Sequence, residues 1–250
     1  AVPKRAWQRK YNSDTDNLCQ LAMRCVLAVS ANRKILIDLG LGNQNTKQAA
    51  YYAPHDIKDI GIQLNMIGYS NSDITDVVLT HLHFDHCGYA TSKDKYGHSV
   101  PSFVNARYWL SRKQWINLLD PNLLEKDSLS QDSVLPIYDA GLVNIVDEDI
   151  FIEEGFEIRL FDGHSDGQLI PFIQTSDGIF VFASDVIPTT SHVALEWISA
   201  YDINALTSLH EKKRLLEEAV NNNYTLIYYH DAVHAMSKVK RINDNFKALI

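Results

Sequence analysis

The sequence is poor in cysteine and contains no long apolar run. Its three cysteines (Cys19, Cys25 and Cys87) show no Cys-x-x-Cys spacing and cannot all pair. This favours a reducing compartment, so we expect a cytoplasmic protein. No run approaches the roughly 18 apolar residues of a membrane-spanning helix, so no membrane association is expected. The chain starts at Ala1 rather than methionine. We expect that an N-terminal strand is missing, and the sequence does not tell whether a signal peptide was removed.

The composition fits one globular domain that acts on a small molecule. With 250 residues and 46% hydrophobic content, we expect a single domain over 1–250. The net charge of −8 would repel a nucleic-acid backbone, so no nucleic-acid partner is predicted. Short basic clusters, such as the one at 4–10, are interpreted as solvated faces. A homodimer is left open.

Turn residues divide the chain into short strands and amphipathic helices. The apolar runs predict strands at 25–30, 34–38, 76–80, 157–161, 169–175, 179–183 and 225–229. Helices are expected over 57–67, from Ser111 to Pro121, over 206–220 and from about Ala235. Residues 121–150 are interpreted as a loop-rich insertion or lid. The pattern alone supports a mixed α/β domain.

One stretch of metal-competent side chains follows the strand at 76–80. His81, His83, Asp85 and His86 lie within Thr80-His-Leu-His-Phe-Asp-His-Cys-Gly88. Imidazole and carboxylate groups suit a divalent ion such as zinc, and a loop after a strand can direct them at one point. The alternative is a set of solvated loop histidines. Gly88 is expected to allow close backbone packing or a positive φ.

This segment resembles the signature of the metallo-β-lactamase superfamily. The resemblance implies a four-layer αββα sandwich with one or two metal ions at the sheet edge. Further ligands would come from later strand ends, and the chain offers His164 in Gly-His-Ser-Asp-Gly, Asp185 after 179–184, and His230 after 225–229. His234 is a rival for the last position.

The resemblance implies a centre with two divalent metal ions. One ion would take His81, His83 and His164, the other Asp85, His86 and His230, and Asp185 would bridge. An open position on each ion is typical of catalytic sites, and a metal-bridging hydroxide would then be the nucleophile. Asp85 is also expected to transfer a proton. Ligand chemistry favours zinc, with iron, manganese or cobalt as alternatives.

A second resemblance concerns the substrate. Residues 184–193, with Trp197 and Tyr201-Asp202, resemble quorum-quenching acyl-homoserine lactonases. Those enzymes have a tyrosine three residues after the bridging aspartate, where this chain has Pro188. His192 is therefore the candidate donor to the substrate carbonyl, and its alternative is a supporting or surface histidine. An apolar acyl pocket could be lined by Phe84, Tyr89 and Trp197, for which core packing is the alternative.

Three functions follow, in decreasing order of support. The first is a hydrolase that opens a small lactone or ester. The second is a phosphodiester or phosphotriester hydrolase, because the same metals stabilise a phosphorane-like state. The third is a metal-binding or redox module without hydrolysis, which His83 disfavours because redox di-iron members typically carry Glu there.

Overall fold

The protein is represented by a computed structural model that describes residues 2–42 and 46–250. Its strands are β1 (Val26–Val29), β2 (Lys34–Ile37), β3 (Asp76–Val78), β4 (Thr91–Lys93), β5 (Ser99–Pro101), β6 (Arg107–Ser111), β7 (Val143–Val146), β8 (Ile150–Glu153), β9 (Phe156–Phe161), β10 (Gln168–Thr175), β11 (Gly178–Phe182), β12 (Thr225–Ile227), β13 (Met236–Ile242) and β14 (Asn245–Leu249). Its α-helices are α1 (Lys4–Trp7), α2 (Thr46–Ala49), α3 (Ile60–Met66), α4 (Phe84–Cys87), α5 (Arg112–Leu119), α6 (Gln131–Asp139) and α7 (Ala205–Asn221). None of the helices in these ranges is long and apolar enough to cross a bilayer.

The chain divides into two compact units, each with a sheet of its own. One comprises Cys25–Asp147, and we call it the five-strand unit after its main sheet in the described residues. The other comprises Ala1–Arg24 with Glu148–Ile250, and we call it the seven-strand unit for the same reason. Each unit is described by itself below.

The five-strand unit has the strand order β1-β2-β3-β6-β7, in which only β1 and β2 pair antiparallel. Residues such as Leu36 and Val77 on the central parallel strands are at most 3% exposed. Such continuous apolar strands are typical of parallel sheets that are covered on both faces. Because β2, β3 and β6 are parallel, their carboxyl ends meet at one edge of this sheet. Polar residues that follow these strands are therefore close in space.

The seven-strand unit has the strand order β14-β13-β12-β11-β10-β9-β8, and only β11 and β12 pair parallel. This topology brings the β9–β10 connection and the carboxyl ends of β11 and β12 to the same sheet edge. The helix α7 lies between β11 and β12 in sequence, and its apolar residues Leu215, Leu216 and Ala219 join the core of the unit.

Two predicted regions differ from the structure, and strands β4, β5, β6 and β8 were not predicted. Residues 121–150 are not an insertion outside the core, because they contain α6 and β7, and Val134 and Ile137 of α6 belong to the core of the five-strand unit. Pro136 lies inside α6. Proline cannot donate to the carbonyl four residues earlier, and the hydroxyl of Thr91 donates to that carbonyl, Asp132 O, at 3.3 Å.

The predicted closing helix from Ala235 is also wrong. Residues 236–249 form the antiparallel hairpin β13–β14, in which Ser237, Val239, Phe246 and Ala248 alternate as buried residues with exposed neighbours. Alternation with a period of two is the signature of a half-buried strand. A two-residue loop starting at Asn243, with φ of 52°, joins the strands.

The other predicted elements are present with shifted ends. Ser111 caps α5 by accepting a hydrogen bond from Gln114 N at 3.1 Å, and α5 ends before Pro121, as predicted. The helix predicted over 57–67 is the shorter α3, which begins after its N-cap Asp59. Boundaries move because tertiary packing, rather than local pattern, decides where the last turn forms.

Gly88 allows the close backbone contact that the sequence suggested. Its φ is ordinary, but a Cβ on Gly88 would lie 1.8 Å from the carbonyl oxygen of Leu41. The Gly88 N–H also donates to Gly40 O at 2.8 Å. The segment after α4 is thereby held against the segment after β2.

We therefore expect Gly88→Ala to lower the free energy of unfolding by about 3 kcal/mol, because backbone rather than a mobile side chain would have to shift. The matched control is Gly141→Ala, where φ is 70° and the Cβ would meet open space. Only backbone strain of about 1 kcal/mol is expected there. Urea unfolding followed by circular dichroism measures both, and equal losses would contradict the packing role of Gly88.

Candidate metal site

The motif after β3 forms a compact histidine cluster in the five-strand unit. His81 Nε2 lies 3.0 Å from His83 Nδ1, and the rings of His81 and His86 are 4.0 Å apart. Two nitrogens bound to one tetrahedral zinc at about 2.0–2.1 Å would be roughly 3.3 Å apart. The His81 and His83 nitrogens therefore already have nearly the separation that one shared ion requires.

Asp38 holds this cluster in position through hydrogen bonds. It follows β2 with a left-handed φ of 53° and is fully buried. Its carboxylate accepts hydrogen bonds from Thr80 N and Thr80 Oγ1, both at 2.8 Å, and lies 2.8 Å from His86 Nδ1. Burial raises the pKa of Asp38, and the contacts with His86 and Thr80 oppose that rise. With Nδ1 at Asp38, His86 presents Nε2 as its ligand atom, 3.8 Å from Asp85 Oδ2.

Glu125 makes the corresponding carboxylate contact with His83. Its Oε1 lies 3.0 Å from His83 Nε2, and Asn117 donates to its other oxygen at 2.9 Å. The Glu125 side chain is only 2% exposed. Because Nε2 of His83 faces Glu125, Nδ1 faces His81. A carboxylate at the outer nitrogen fixes the ring orientation and raises the basicity of a ligating histidine.

In the seven-strand unit, Asp185 lies between two histidines. Its Oδ2 is 3.5 Å from His164 Nε2, and its Oδ1 is 3.4 Å from His230 Nε2. All three residues follow the strand ends that share one sheet edge. Each carboxylate oxygen thus faces a different imidazole. Among the described residues, no group of side chains that could hold a metal ion includes His234, whereas His230 faces Asp185.

The outer nitrogens of these two histidines also have partners. His164 Nδ1 lies 2.9 Å from Asp202 Oδ1, and His230 Nδ1 donates to Ala22 O at 2.9 Å. The His164 loop comes close to α7 because Gly163 has no side chain, and a Cβ there would lie 2.4 Å from Ser208 Cα. Each histidine therefore presents Nε2 toward Asp185.

Asp231 holds the loops around His230. It accepts hydrogen bonds from Thr190 N and Thr190 Oγ1, and from the backbone N–H groups of Val233 and His234. Burial would raise the pKa of Asp231, but these hydrogen bonds lower it, and the net pKa is lowered. Asp231 therefore remains a carboxylate that ties the segment at 190 to the segment at 233.

The structure treats the predicted substrate residues differently. Phe84 is 9% exposed, and its ring centroid lies 6.1 Å from that of Tyr52. Tyr89 packs against the core of the five-strand unit, and its hydroxyl donates to Asp59 at 3.4 Å. These are contacts of a packing residue, so the core alternative describes Tyr89 better. Trp197 is half-buried and meets His192 edge-on at 5.9 Å.

His192 lies in a short 3₁₀ turn over 190–193, with Nδ1 2.8 Å from Thr189 Oγ1. Burial, followed by the positive charge of Lys212, lowers the pKa of His192 to about 4. The imidazole is thus neutral near pH 7. Lys212 itself is buried and donates to Ala194 O at 3.0 Å and to Trp197 O at 2.8 Å, and burial lowers its pKa to about 8.

Sequence reasoning assigned no orienting role to Asp38, Glu125, Asp202 or Asp231, although Asp202 was part of the lactonase resemblance. Asp38 had a usable signal, because it is the last residue of a predicted strand, and Asp185 likewise follows one. Glu125 had none, since it lies in a segment interpreted as an insertion. Cys87, which we kept structural, is buried, and its Sγ donates to Leu82 O at 3.5 Å.

Comparison with known proteins assigns the family. The model of the family described as the Metallo-beta-lactamase superfamily matches residues 24–223. The chain belongs to this superfamily. Its fold class is therefore the predicted one, and a divalent-metal hydrolase is the class of protein that the family and the ligand clusters support. No curated protein matches the sequence.

Solved structures with this fold include several hydrolases. A probable metal-dependent hydrolase from Staphylococcus aureus is 28% identical, covers 95% of this chain and 84% of its own, and has a TM-score of 0.87. AidC, a dizinc quorum-quenching lactonase in complex with a product, is 18% identical over 92% of this chain and 79% of its own, with a TM-score of 0.73. An N-acyl homoserine lactone hydrolase with N-hexanoyl-L-homoserine bound at its catalytic metal centre is 21% identical over 85% and 82%, with a TM-score of 0.67.

The contact between Glu125 and His83 yields a prediction about metal affinity. Glu125→Gln removes the negative charge at the outer nitrogen while keeping the side-chain shape, so metal affinity should fall about 10- to 100-fold. Competition with a chromophoric chelator measures this change without any substrate. The control Glu154→Gln removes an exposed carboxylate and should leave the affinity unchanged. If both variants bind metal equally well, Glu125 does not support the ligand.

Proposed function

We propose that the chain is a hydrolase that uses two divalent metal ions, zinc by ligand chemistry, to open a small lactone or ester. The observation that carries this proposal is Asp185, whose two oxygens face His164 at 3.5 Å and His230 at 3.4 Å. A carboxylate that presents one oxygen to each of two ligands is suited to bridge a metal pair. The superfamily pattern supports completion of the centre by His81, His83, Asp85 and His86.

The donor set fits the ions that the superfamily uses. All of the proposed ligands are imidazoles or carboxylates, which suit zinc and, as alternatives, iron, manganese or cobalt. When bound, two such ions would lower the pKa of water at the site and polarise the oxygen of the substrate carbonyl. The buried carboxylates Asp38, Glu125 and Asp202 keep the rings in position for this chemistry.

The residues of the chain then move the proton and orient the substrate. A water molecule gives up a proton and its oxygen attacks the acyl carbon, so that a new C–O bond forms; the ester C–O bond then breaks, and the departing alkoxide takes the proton back. We assign this proton transfer to Asp85, whose side chain is 25% exposed and so accessible. Neutral His192 is assigned to donate a hydrogen bond to the substrate carbonyl. Phe84 and Trp197 are assigned to contact an apolar acyl group.

The lactone is preferred over other esters for two reasons. The segment at 184–193 resembles the lactonases, and two structures with this fold hold a homoserine product. The acidic charge of the chain is compatible with a neutral small substrate.

Ring opening of a long-chain acyl-homoserine lactone by zinc-loaded protein, followed by proton release, tests the substrate class. We expect kcat/KM above about 10⁴ M⁻¹s⁻¹, within the ordinary range of enzymes. A null result with two ions bound per chain would overturn the lactonase assignment. Phosphodiesters and phosphotriesters would then be the next substrates to assay.

Asp185→Asn tests the bridge itself. Because the amide cannot bind two ions as an anionic bridge, we expect loss of metal and a fall in hydrolysis of about 10²-fold or more. Asp177→Asn, in an exposed turn of the same unit, is the matched control and should retain metal and activity. Full metal content and near-normal turnover in Asp185→Asn would remove the bridge from the proposal.

A further inference from the structure

A chain of hydrogen bonds connects the N-terminal segment to His192 within the seven-strand unit. The hydroxyl of Tyr11 bonds to Thr189 Oγ1, and Thr189 Oγ1 lies 2.8 Å from His192 Nδ1. Thr189 is 2% exposed. We propose that Tyr11 and Thr189 fix the tautomer of His192, so that its single ring proton resides on Nε2 and can be donated to a bound carbonyl. The use of that proton rests on the proposed function, whereas the tautomer itself does not.

The chemistry of the two hydroxyls determines which group donates in each hydrogen bond between Tyr11, Thr189 and His192. A neutral imidazole has one N–H donor and one acceptor nitrogen, and each hydroxyl has a single proton to donate. A phenol, with a pKa near 10, is a stronger acid than an aliphatic alcohol and so the better donor of the pair. Tyr11 then donates to Thr189, Thr189 donates to His192 Nδ1, and the imidazole proton remains on Nε2.

The surroundings of Tyr11 keep its phenol protonated. Burial raises the pKa of Tyr11, and the negative charge of Asp231 raises it further, while hydrogen bonds with Ser191 and Thr189 oppose the rise. The phenol therefore keeps its proton over the working pH range.

Nε2 of His192 is available for a ligand. Within the part of the chain that the structure describes, this nitrogen makes no hydrogen bond, whereas Nδ1 is engaged by Thr189. The groups whose charges act on His192 are Lys212, Asp202, Asp185 and His230. Asp185 and His230 are proposed metal ligands, so the His192 ring lies within electrostatic range of the proposed reacting groups.

The backbone around His192 is held in place by contacts other than the hydrogen bonds of Tyr11 and the Thr189 hydroxyl. The His192 N–H donates to Thr189 O at 3.0 Å, and the buried ammonium of Lys212 bonds to the carbonyls of Ala194 and Trp197. Replacing the hydroxyl of Tyr11 or Thr189 should therefore change which ring nitrogen of His192 carries the proton, without moving the ring far. Tyr11 and Thr189 are positioning residues in this scheme.

The tautomer is measured directly by long-range ¹H–¹⁵N NMR of zinc-loaded protein with labelled histidine at pH 7, with His192 assigned from a His192→Gln spectrum. We expect a protonated Nε2 and an unprotonated Nδ1 in the parent protein. In Thr189→Val, which keeps the side-chain shape, both tautomers should be populated. A protonated Nδ1 in the parent protein, or an unchanged tautomer in Thr189→Val, would overturn the proposal.

Kinetics on a substrate that the hydrolysis assay identifies provide the second readout. Thr189→Val should lower kcat about tenfold, less than the 10²–10³ that complete loss of such a donor costs, with metal content unchanged. Tyr11→Phe should shift the tautomer and kcat in the same direction by a smaller factor. Tyr224→Phe removes a phenol that donates to Glu218 at 3.0 Å elsewhere in the unit, and it should change neither readout.

The two proposals fail in different ways. If no lactone, ester or phosphoester is hydrolysed but His192 carries its proton on Nε2 and loses this preference in Thr189→Val, the proposed function is wrong and the hydrogen-bond chain stands. If hydrolysis is found but Thr189→Val alters neither the tautomer nor kcat, the proposed hydrogen-bond chain is wrong and the proposed function stands.

Discussion

Buried carboxylates paired with imidazoles are the constraint on which the rest of this structure depends. An unpaired charge in the protein interior costs several kcal/mol, so each buried acid needs a partner. For three of these acids the partner is the outer nitrogen of a proposed metal ligand, in the pairs Asp38–His86, Glu125–His83 and Asp202–His164. The same contacts that make burial of the acids tolerable also fix the orientation of the rings. Stability and ligand geometry are therefore served by one set of hydrogen bonds.

Sheet topology determines which residues these pairs can bring together. Parallel strands β2 and β3 deliver Asp38 and the histidine motif to one sheet edge, and the β9–β10 turn delivers His164 to the edge where Asp185 follows β11. The backbone close to these ends is specialised. Gly88 and Gly163 allow approaches that a Cβ would prevent, and Asp38 adopts a left-handed conformation. Side chains on short, restrained loops can hold a geometry that mobile loops cannot.

Segments far from the motif in sequence complete the surroundings of the ligands. Ala22 accepts a hydrogen bond from His230, and Tyr11 reaches Thr189. Glu125 follows α5 in a region that composition alone describes as loop. These contributions have no local signature, because a single carboxylate, carbonyl or hydroxyl has the same sequence appearance whether it faces solvent or a ligand. Their roles depend on burial and on a partner many residues away.

The sequence by itself determined the family, the strands β1 to β3 and β9 to β12, the helices α3, α5 and α7, and the identity of the ligand candidates. It could do so because periodicity and the dense His-x-His-x-Asp-His spacing are local properties. Tertiary structure alone decided that α6 and β7 belong to a core, that the chain ends in a hairpin, and which nitrogen of each histidine faces its neighbours. The choice of nitrogen depends on long-range hydrogen bonds to Asp38, Glu125, Asp202 and Ala22, which form only when the chain is folded.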